Sequence, residues 1–132
     1  MAIVRTLIIN NQAVLLLGAY NSDAVHRSEL PGGKIEKGET IIYAAVRENK
    51  EETGLETKIV KMMGWMTNGK RERIYFAIGQ MLHPRQHIIL EDKFDSYLWL
   101  PISHEFILPL APSAERALDK YKSEYRHKFS YL

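Results

Sequence analysis

Two apolar, β-branched runs open the chain, Ile3 to Ile9 and Ala13 to Ala19, with Asn10-Asn11-Gln12 between them. Such runs suit strands and the polar triplet suits a tight turn, so the pattern predicts an opening hairpin. Asn21 to Glu29 is polar and reads as a loop, and Leu30-Pro31-Gly32-Gly33 forces an irregular backbone after it. From Thr40 to Glu52 the spacing predicts a helix, with Thr40 as N-cap and Gly54 at its stop. Lys58 to Thr67 and Lys70 to Gln80 read as strands joined at Asn68-Gly69. A loop around His83-Pro84 precedes two short predicted strands, His87 to Leu90 and Ser96 to Leu100. Pro112-Ser113 starts a last helix whose expected buried stripe is Ala114, Ala117, Leu118, Tyr121 and Tyr125. Strands with two helices point to a mixed α/β (α+β) domain, its helices packed on sheet faces.

No repeat, linker or low-complexity segment interrupts the 132 residues, so one domain over 1–132 is expected. With 45% hydrophobic and 26% charged residues, the composition is that of a globular chain and excludes disorder. The chain has no cysteine, which excludes a disulfide framework, a thiolate zinc site and a cysteine nucleophile together. Residues 1–10 carry no basic leader or cleavage site, and no apolar run is long enough to span a bilayer. A cytoplasmic location is the expectation. Eighteen basic against 16 acidic residues leave a net charge of +2, which demands neither a nucleic-acid polymer nor a membrane as partner. Monomer and homodimer are both open.

The chemistry concentrates between Gly33 and Leu55, which reads GKIEKGETIIYAAVRENKEETGL. Glu48, Glu51 and Glu52 stand at i, i+3 and i+4, within one arc roughly 100° wide on a helix. Ile42, Ala45 and Val46 fall on an adjacent face, which is expected to be the buried one. Like charges at these spacings oppose the helix by a few tenths of a kcal/mol per exposed pair. A hard divalent cation turns that repulsion into ligation, and such ions take oxygen ligands. Gly32 and Gly33 let backbone approach a metal or phosphate. Lys34 and Arg47 are candidate cationic contacts to phosphates, or partners of neighbouring carboxylates. Arg27 is a further candidate for substrate contact, as is the backbone of Gly33. On spacing alone, a solvated acidic helix face is the more frequent outcome.

A wider pattern changes that balance. Gly33, Glu39, Arg47, Glu48, Glu51, Glu52, Gly54 and Leu55 resemble the Nudix box: Gly, five residues, Glu, seven residues, then Arg-Glu-apolar-X-Glu-Glu-X-Gly-apolar. Seven fixed residues coincide by chance on the order of once in 10⁸ to 10⁹ starting points. The preceding Leu30 to Glu36 also resembles the approach loop of the MutT-like branch. The resemblance implies an α/β/α sandwich with a mixed sheet and a loop-helix-loop catalytic motif. It implies Glu51 and Glu52 as main metal ligands, joined by the Gly32 carbonyl. Glu48 would bind metal or help deprotonate the attacking water, and Arg47 would orient a box carboxylate. Glu39 would hold the loop-helix-loop together, with Gly54 structural. The implied cofactor is Mg²⁺, with Mn²⁺ able to substitute. The implied reaction is attack of water on a phosphorus, cleaving a diphosphate linkage in a nucleoside diphosphate derivative.

The MutT-like look of Leu30 to Glu36 tilts the expected substrate toward nucleoside triphosphates. The alternative is a Nudix-fold module that senses a nucleotide without turnover; such modules usually lose box carboxylates that are present here. A prenyl diphosphate isomerase, which shares the fold, is set aside because the resemblance implies a cysteine there. One departure is Asn49, at a usually apolar position, where an unsatisfied buried amide costs about 1–3 kcal/mol.

Many members of the family recruit a further carboxylate from the loop before the last strand, and Glu91 is the candidate metal ligand there, beside Asp92. A solvated loop carboxylate is an equal alternative. Lys70, Arg71 and Arg73 read as a solvated hairpin tip. Of Trp65, Tyr75, Phe76 and Trp99, all but one or two are expected in the core. Pro84 argues against a helix presenting His83 and His87 together to zinc.

Overall fold

The computed structural model describes residues 1–20, 26–103 and 109–132. Strand β1 (Ala2–Asn10) turns into β2 (Ala13–Tyr20) through Asn11 and Gln12, at φ of 50° and 58°. Asn10 pairs with Ala13 across that turn. Two successive residues at positive φ match the strand twist and make a two-residue hairpin. The strands then diverge. Ala2 to Ile8 of β1 runs parallel to β6 (Arg73–Met81), and β5 (Thr57–Thr67) lies antiparallel on the far side of β6. On β2 lie β3 (His26–Glu29) and β7 (Ser96–Pro101), both antiparallel. The short β4 (Gly32–Lys34) pairs antiparallel with Ile3 to Arg5 of β1. One mixed sheet results, in the order β3-β2-β1-β6-β5 with β4 on β1 and β7 on β2.

Alternation along β1 and β6 assigns each face a helix. On one face Leu7, Ile9, Ile74, Phe76 and Ile78 meet Ala114, Ala117, Leu118 and Tyr121 of α2 (Pro112–Lys120) and its continuation. That continuation, Tyr121–Tyr125, is a π-helical turn in which Arg126 N–H donates to the Tyr121 carbonyl at 2.9 Å. On the other face Val4 and Ala77 meet Ala44 and Ala45 of α1 (Ile41–Thr53), whose small side chains bring helix and sheet close. The expected sandwich, with helices on both faces of a mixed sheet, is what forms. No described helix is long and apolar enough to cross a membrane.

Four local expectations change. The last four residues of the predicted loop from Asn21 to Glu29 form strand β3; residues 21–25 lie outside the described residues. His87 to Leu90 forms no strand, because its backbone docks on the last turn of α1. There Ile89 N–H donates to the Thr53 carbonyl and Glu91 N–H to the Glu52 carbonyl. Asn68-Gly69 is not a two-residue turn: Thr67 pairs with Arg73, and the Asn68 side-chain oxygen accepts from Lys70 N–H and Glu72 N–H. Arg71, rather than Gly69, takes the positive φ.

The fourth change concerns α1. Its buried residues are Ala44, Ala45, Asn49, Glu52 and Thr53, while Ile42 is 51% exposed. Ile41, Ala44, Ala45, Glu48, Asn49 and Glu52 stand at i, i+3, i+4, i+7, i+8 and i+11, a regular inward stripe. Two of the carboxylates therefore lie on the buried face of the helix, not on a separate ridge.

Candidate active site

Burial of Glu52 is the unusual physical fact, because an ionised carboxylate rarely leaves water without partners. The residue is 1% exposed. Its Oε1 accepts a hydrogen bond from Gly32 N–H at 2.7 Å. Its Oε2 is buried without a directed hydrogen bond, facing the Lys93 ammonium at 2.8 Å. Burial pushes the Glu52 carboxyl above its ordinary pKa, against the opposing pull of Lys93 and the Gly32 N–H. Lys93 is itself held above the ordinary lysine value: partial burial works against its charge, and Glu52, then Glu91 and Glu48, outweigh it.

Gly32 reaches Glu52 because of its backbone. Its φ of 155° and the 2.0 Å that would separate a Cβ from the Val4 carbonyl oxygen leave no room for a side chain. The Gly32 carbonyl accepts from Arg5 at 3.2 Å, as does the Leu30 carbonyl, and Arg5 also pairs with Glu29 at 2.6 Å. At Gly33 a Cβ would lie 2.6 Å from Glu48 Oε1, so the glycine makes the place in which that carboxylate rests.

Arg47 ties the approach loop to the helix. Its guanidinium forks onto both oxygens of Glu39, at 2.6 and 2.8 Å, and donates to the Lys34 carbonyl at 3.1 Å. It also reaches Glu48 at 3.0 Å and Glu51 at 3.2 Å. Bidentate, charge-assisted contacts of this kind fix orientation as well as adding energy. The hydrogen bond from Arg47 holds Glu39 below the ordinary carboxylate pKa, and Glu39 in turn holds Arg47 above its own. Gly54, at φ 75°, closes the helix with its N–H on the Lys50 carbonyl.

Glu48 and Glu52 open onto a cleft of about 640 Å³, with Ile3, Arg5, Glu29, Gly32, Gly33, Lys34, Glu36, Lys93 and Phe94 also in its walls. That volume suits a small-molecule ligand. Glu51 stands apart: its side chain is 53% exposed, it pairs with Arg47, and it borders a second groove with Tyr43, Val46 and Lys50. Glu91 is exposed at the rim, 3.7 Å from Lys93, and Arg27 is exposed on β3 away from the cleft walls. Among the described residues, no three carboxylate or imidazole side chains converge closely enough to hold a metal as they stand. The donor chemistry nevertheless suits a hard cation. A buried carboxylate oxygen without a directed donor already faces a positive charge, and a second carboxylate borders the same cleft.

Asn49 is buried, donates to Thr57 Oγ1 at 3.0 Å and leaves its own Oδ1 unpaired. Sequence reading missed Arg5 and Lys93. Arg5 carries a signal, as the one charge in the apolar run from Ala2 to Ile9. Lys93 carries none, since its direction depends on how the preceding segment docks on α1. Of the four aromatic residues, Phe76 is buried, whereas Trp65 is 52% exposed beneath the Arg73 guanidinium, 4.0 Å from the ring centroid.

Fold and site together define a class: a mixed sheet between two helices, with a glycine loop and a carboxylate-bearing helix forming one cleft. The sequence pattern of the NUDIX domain matches residues 1–121, and the chain belongs to that family. An ADP-ribose pyrophosphatase of Methanocaldococcus jannaschii is 35% identical over 83 residues, 63% of this chain and 43% of that protein. The match thus spans under half the length of that relative. The asymmetrical bis(5'-nucleosyl)-tetraphosphatase of Mus musculus is 23% identical over 70% of this chain and 67% of its own. The E. coli ORF135 protein superposes with a TM-score of 0.79 at 19% identity, covering 98% of this chain and 93% of that one. A MutT Nudix hydrolase from Burkholderia pseudomallei gives 0.74 at 18% identity, over 90% and 95%. These two likenesses speak for the fold.

Proposed function

We propose that this chain is a divalent-metal-dependent hydrolase that cleaves a diphosphate linkage in a nucleoside diphosphate derivative, a nucleoside triphosphate first among them. The observation that carries the reading is the buried Glu52 carboxylate, with one oxygen held by Gly32 N–H and the other aimed into the cleft. Support also comes from the relatives, whose names describe pyrophosphate-cleaving enzymes.

Glu52 and Glu48 would hold Mg²⁺ or Mn²⁺, with the Gly32 carbonyl and Glu91 as further oxygen donors; Glu51, paired with Arg47 beside the second groove, would have to turn toward the cleft to join them. Bound there, the ion supplies charge neutralisation at the phosphate oxygens and a more acidic water. The protein's own part is positioning. Arg47 holds Glu48 and the loop through Lys34 to Glu39 in one arrangement, so the cleft is set before substrate arrives. Arg5 fixes the Gly32 carbonyl, and Lys34 offers a cation at the mouth for phosphate. Ile3 and Phe94 give the cleft apolar wall on which a base can rest. The reading extends to residues 1–132 as one catalytic unit.

Phosphate and pyrophosphate release from a panel of nucleoside triphosphates, ADP-ribose and dinucleoside polyphosphates tests it, with Mg²⁺, Mn²⁺ or chelator. Turnover that vanishes with chelator and falls at least about 10²-fold in Glu52→Gln is expected. Turnover indifferent to both would end the reading. A sensing module has one observation in its favour, the neutralisation of Glu52 by Lys93. It predicts tight nucleotide binding by calorimetry with no product after hours.

A further inference from the structure

Lys93 projects from the segment before β7, and its ammonium sits among the cleft carboxylates. It lies 2.8 Å from Glu52 Oε2 and 3.7 Å from Glu91 Oε2, and feels the charge of Glu48 as well. Its Nζ also stands over the Phe94 ring, 5.2 Å from the centroid. A positive charge therefore already occupies the mouth of the one fully buried carboxylate among the described residues. The two partners differ in freedom: Glu52 is locked in the helix stripe, whereas the Lys93 side chain is 57% exposed on a flexible stem. When another cation neutralises Glu52 the lysine has open water to swing into; the carboxylate cannot follow it.

We infer that Lys93 is a resident counter-ion that competes with the divalent metal for Glu52, and that metal loading displaces it. This rests on the metal-dependent reading above and adds a residue that sets how tightly the metal is held. In the metal-free protein the ammonium relieves Glu52, which would otherwise be buried without a counter-charge. In the loaded protein a second cation at the same oxygen is repelled, so the lysine must leave. Metal affinity is then the difference between two ways of neutralising one carboxylate. Removing the lysine makes the metal the better of them by default.

Mn²⁺ binding, followed by electron paramagnetic resonance and calorimetry without substrate, reads this directly. Lys93→Met is expected to bind Mn²⁺ about tenfold tighter than the parent, the scale of one lost charged contact. Lys93→Arg keeps the charge and should stay within about threefold. In chelator, Lys93→Met should also melt below the parent, and saturating Mn²⁺ should restore it by a larger rise in Tm. Equal or weaker Mn²⁺ binding by Lys93→Met, with parental binding intact, overturns the counter-ion role and leaves the hydrolase reading standing. No Mn²⁺ binding by the parent, Lys93→Met or Lys93→Arg removes the metal-dependent reading, and this inference with it.

Discussion

Replacing Gly33 by alanine separates the position of Glu48 from the stability of the fold. A Cβ built at Gly33 stands 2.6, 2.7 and 2.8 Å from the Oε1, Cδ and Oε2 atoms of Glu48 and approaches no backbone that closely. Ordinary contact begins at 3.4 Å, so the carboxylate must retreat by about 0.8 Å. Its bond from Arg47, now 3.0 Å, stretches or breaks in the process. The backbone itself accepts alanine, and a compatible glycine-to-alanine change adds roughly 0.4–1 kcal/mol of stability by restricting the unfolded chain. We therefore expect Gly33→Ala to melt at or a few degrees above the parent. Its kcat/KM should fall about 100-fold, the usual scale for a misplacement near 1 Å. Calorimetric melting and steady-state kinetics on one preparation give both numbers. Parental kcat/KM in a folded Gly33→Ala protein would refute the reasoning, because it would mean that the Glu48 carboxylate need not sit where it does. The neighbouring Gly32→Ala serves as contrast: its Cβ meets the Val4 carbonyl oxygen at 2.0 Å, and that backbone cannot swing aside. A Tm loss of about 10 °C or more is expected there.

Arg47→Lys keeps the charge and loses the fork onto Glu39, so kcat should drop at least about tenfold while the far-ultraviolet circular dichroism stays parental. The pH dependence of Tm should report Glu39, whose carboxyl the Arg47 hydrogen bond holds below the usual carboxylate range. A depressed folded pKa means stability that is present above the unfolded value of 4.5 and lost as pH falls through the folded one. Glu39→Gln should accordingly melt below the parent at pH 7, and the two curves should converge in acid; parallel curves down to pH 2 would contradict this. Asn49→Leu with Thr57→Val removes a buried pair that leaves one oxygen unsatisfied, so the double variant should match or exceed the parental Tm. A loss above about 5 °C would show that the amide contributes more than its single hydrogen bond.

The parts of the fold that were legible in the sequence share a short-range cause. The Asn11-Gln12 turn, the Thr40 cap, the Gly54 stop and the Pro112 start all follow from preferences within a few residues, and all four form. The resemblance has Arg47 orient a box carboxylate without saying which, and its guanidinium lies against Glu39, Glu48 and Glu51. Most of what sequence reading misjudged was set at long range; the Asn68 loop, closed by its own side chain on Lys70 and Glu72 N–H, is the local exception. The face that α1 buries depends on Val4 and Ala77 accepting Ala44 and Ala45, which rolls Glu48 and Glu52 inward and Ile42 outward. His87 to Leu90 has strand-like composition, yet its backbone found free carbonyls on α1 before any strand edge. Lys93 escaped notice for the same reason, since nothing local says where a loop lysine will point.

The docking of residues 89 and 91 on α1 has a consequence for how such a cleft can vary. The hydrogen bonds of that link run between backbone groups, from Ile89 to Thr53 and from Glu91 to Glu52, above the apolar side chains of Ile88 and Leu90, which pack against the cluster that holds Leu55. Main-chain bonds do not depend on which side chains the segment carries. The rim of the cleft is thus a cassette whose charges can be exchanged one residue at a time, while its register against Glu52 stays the same.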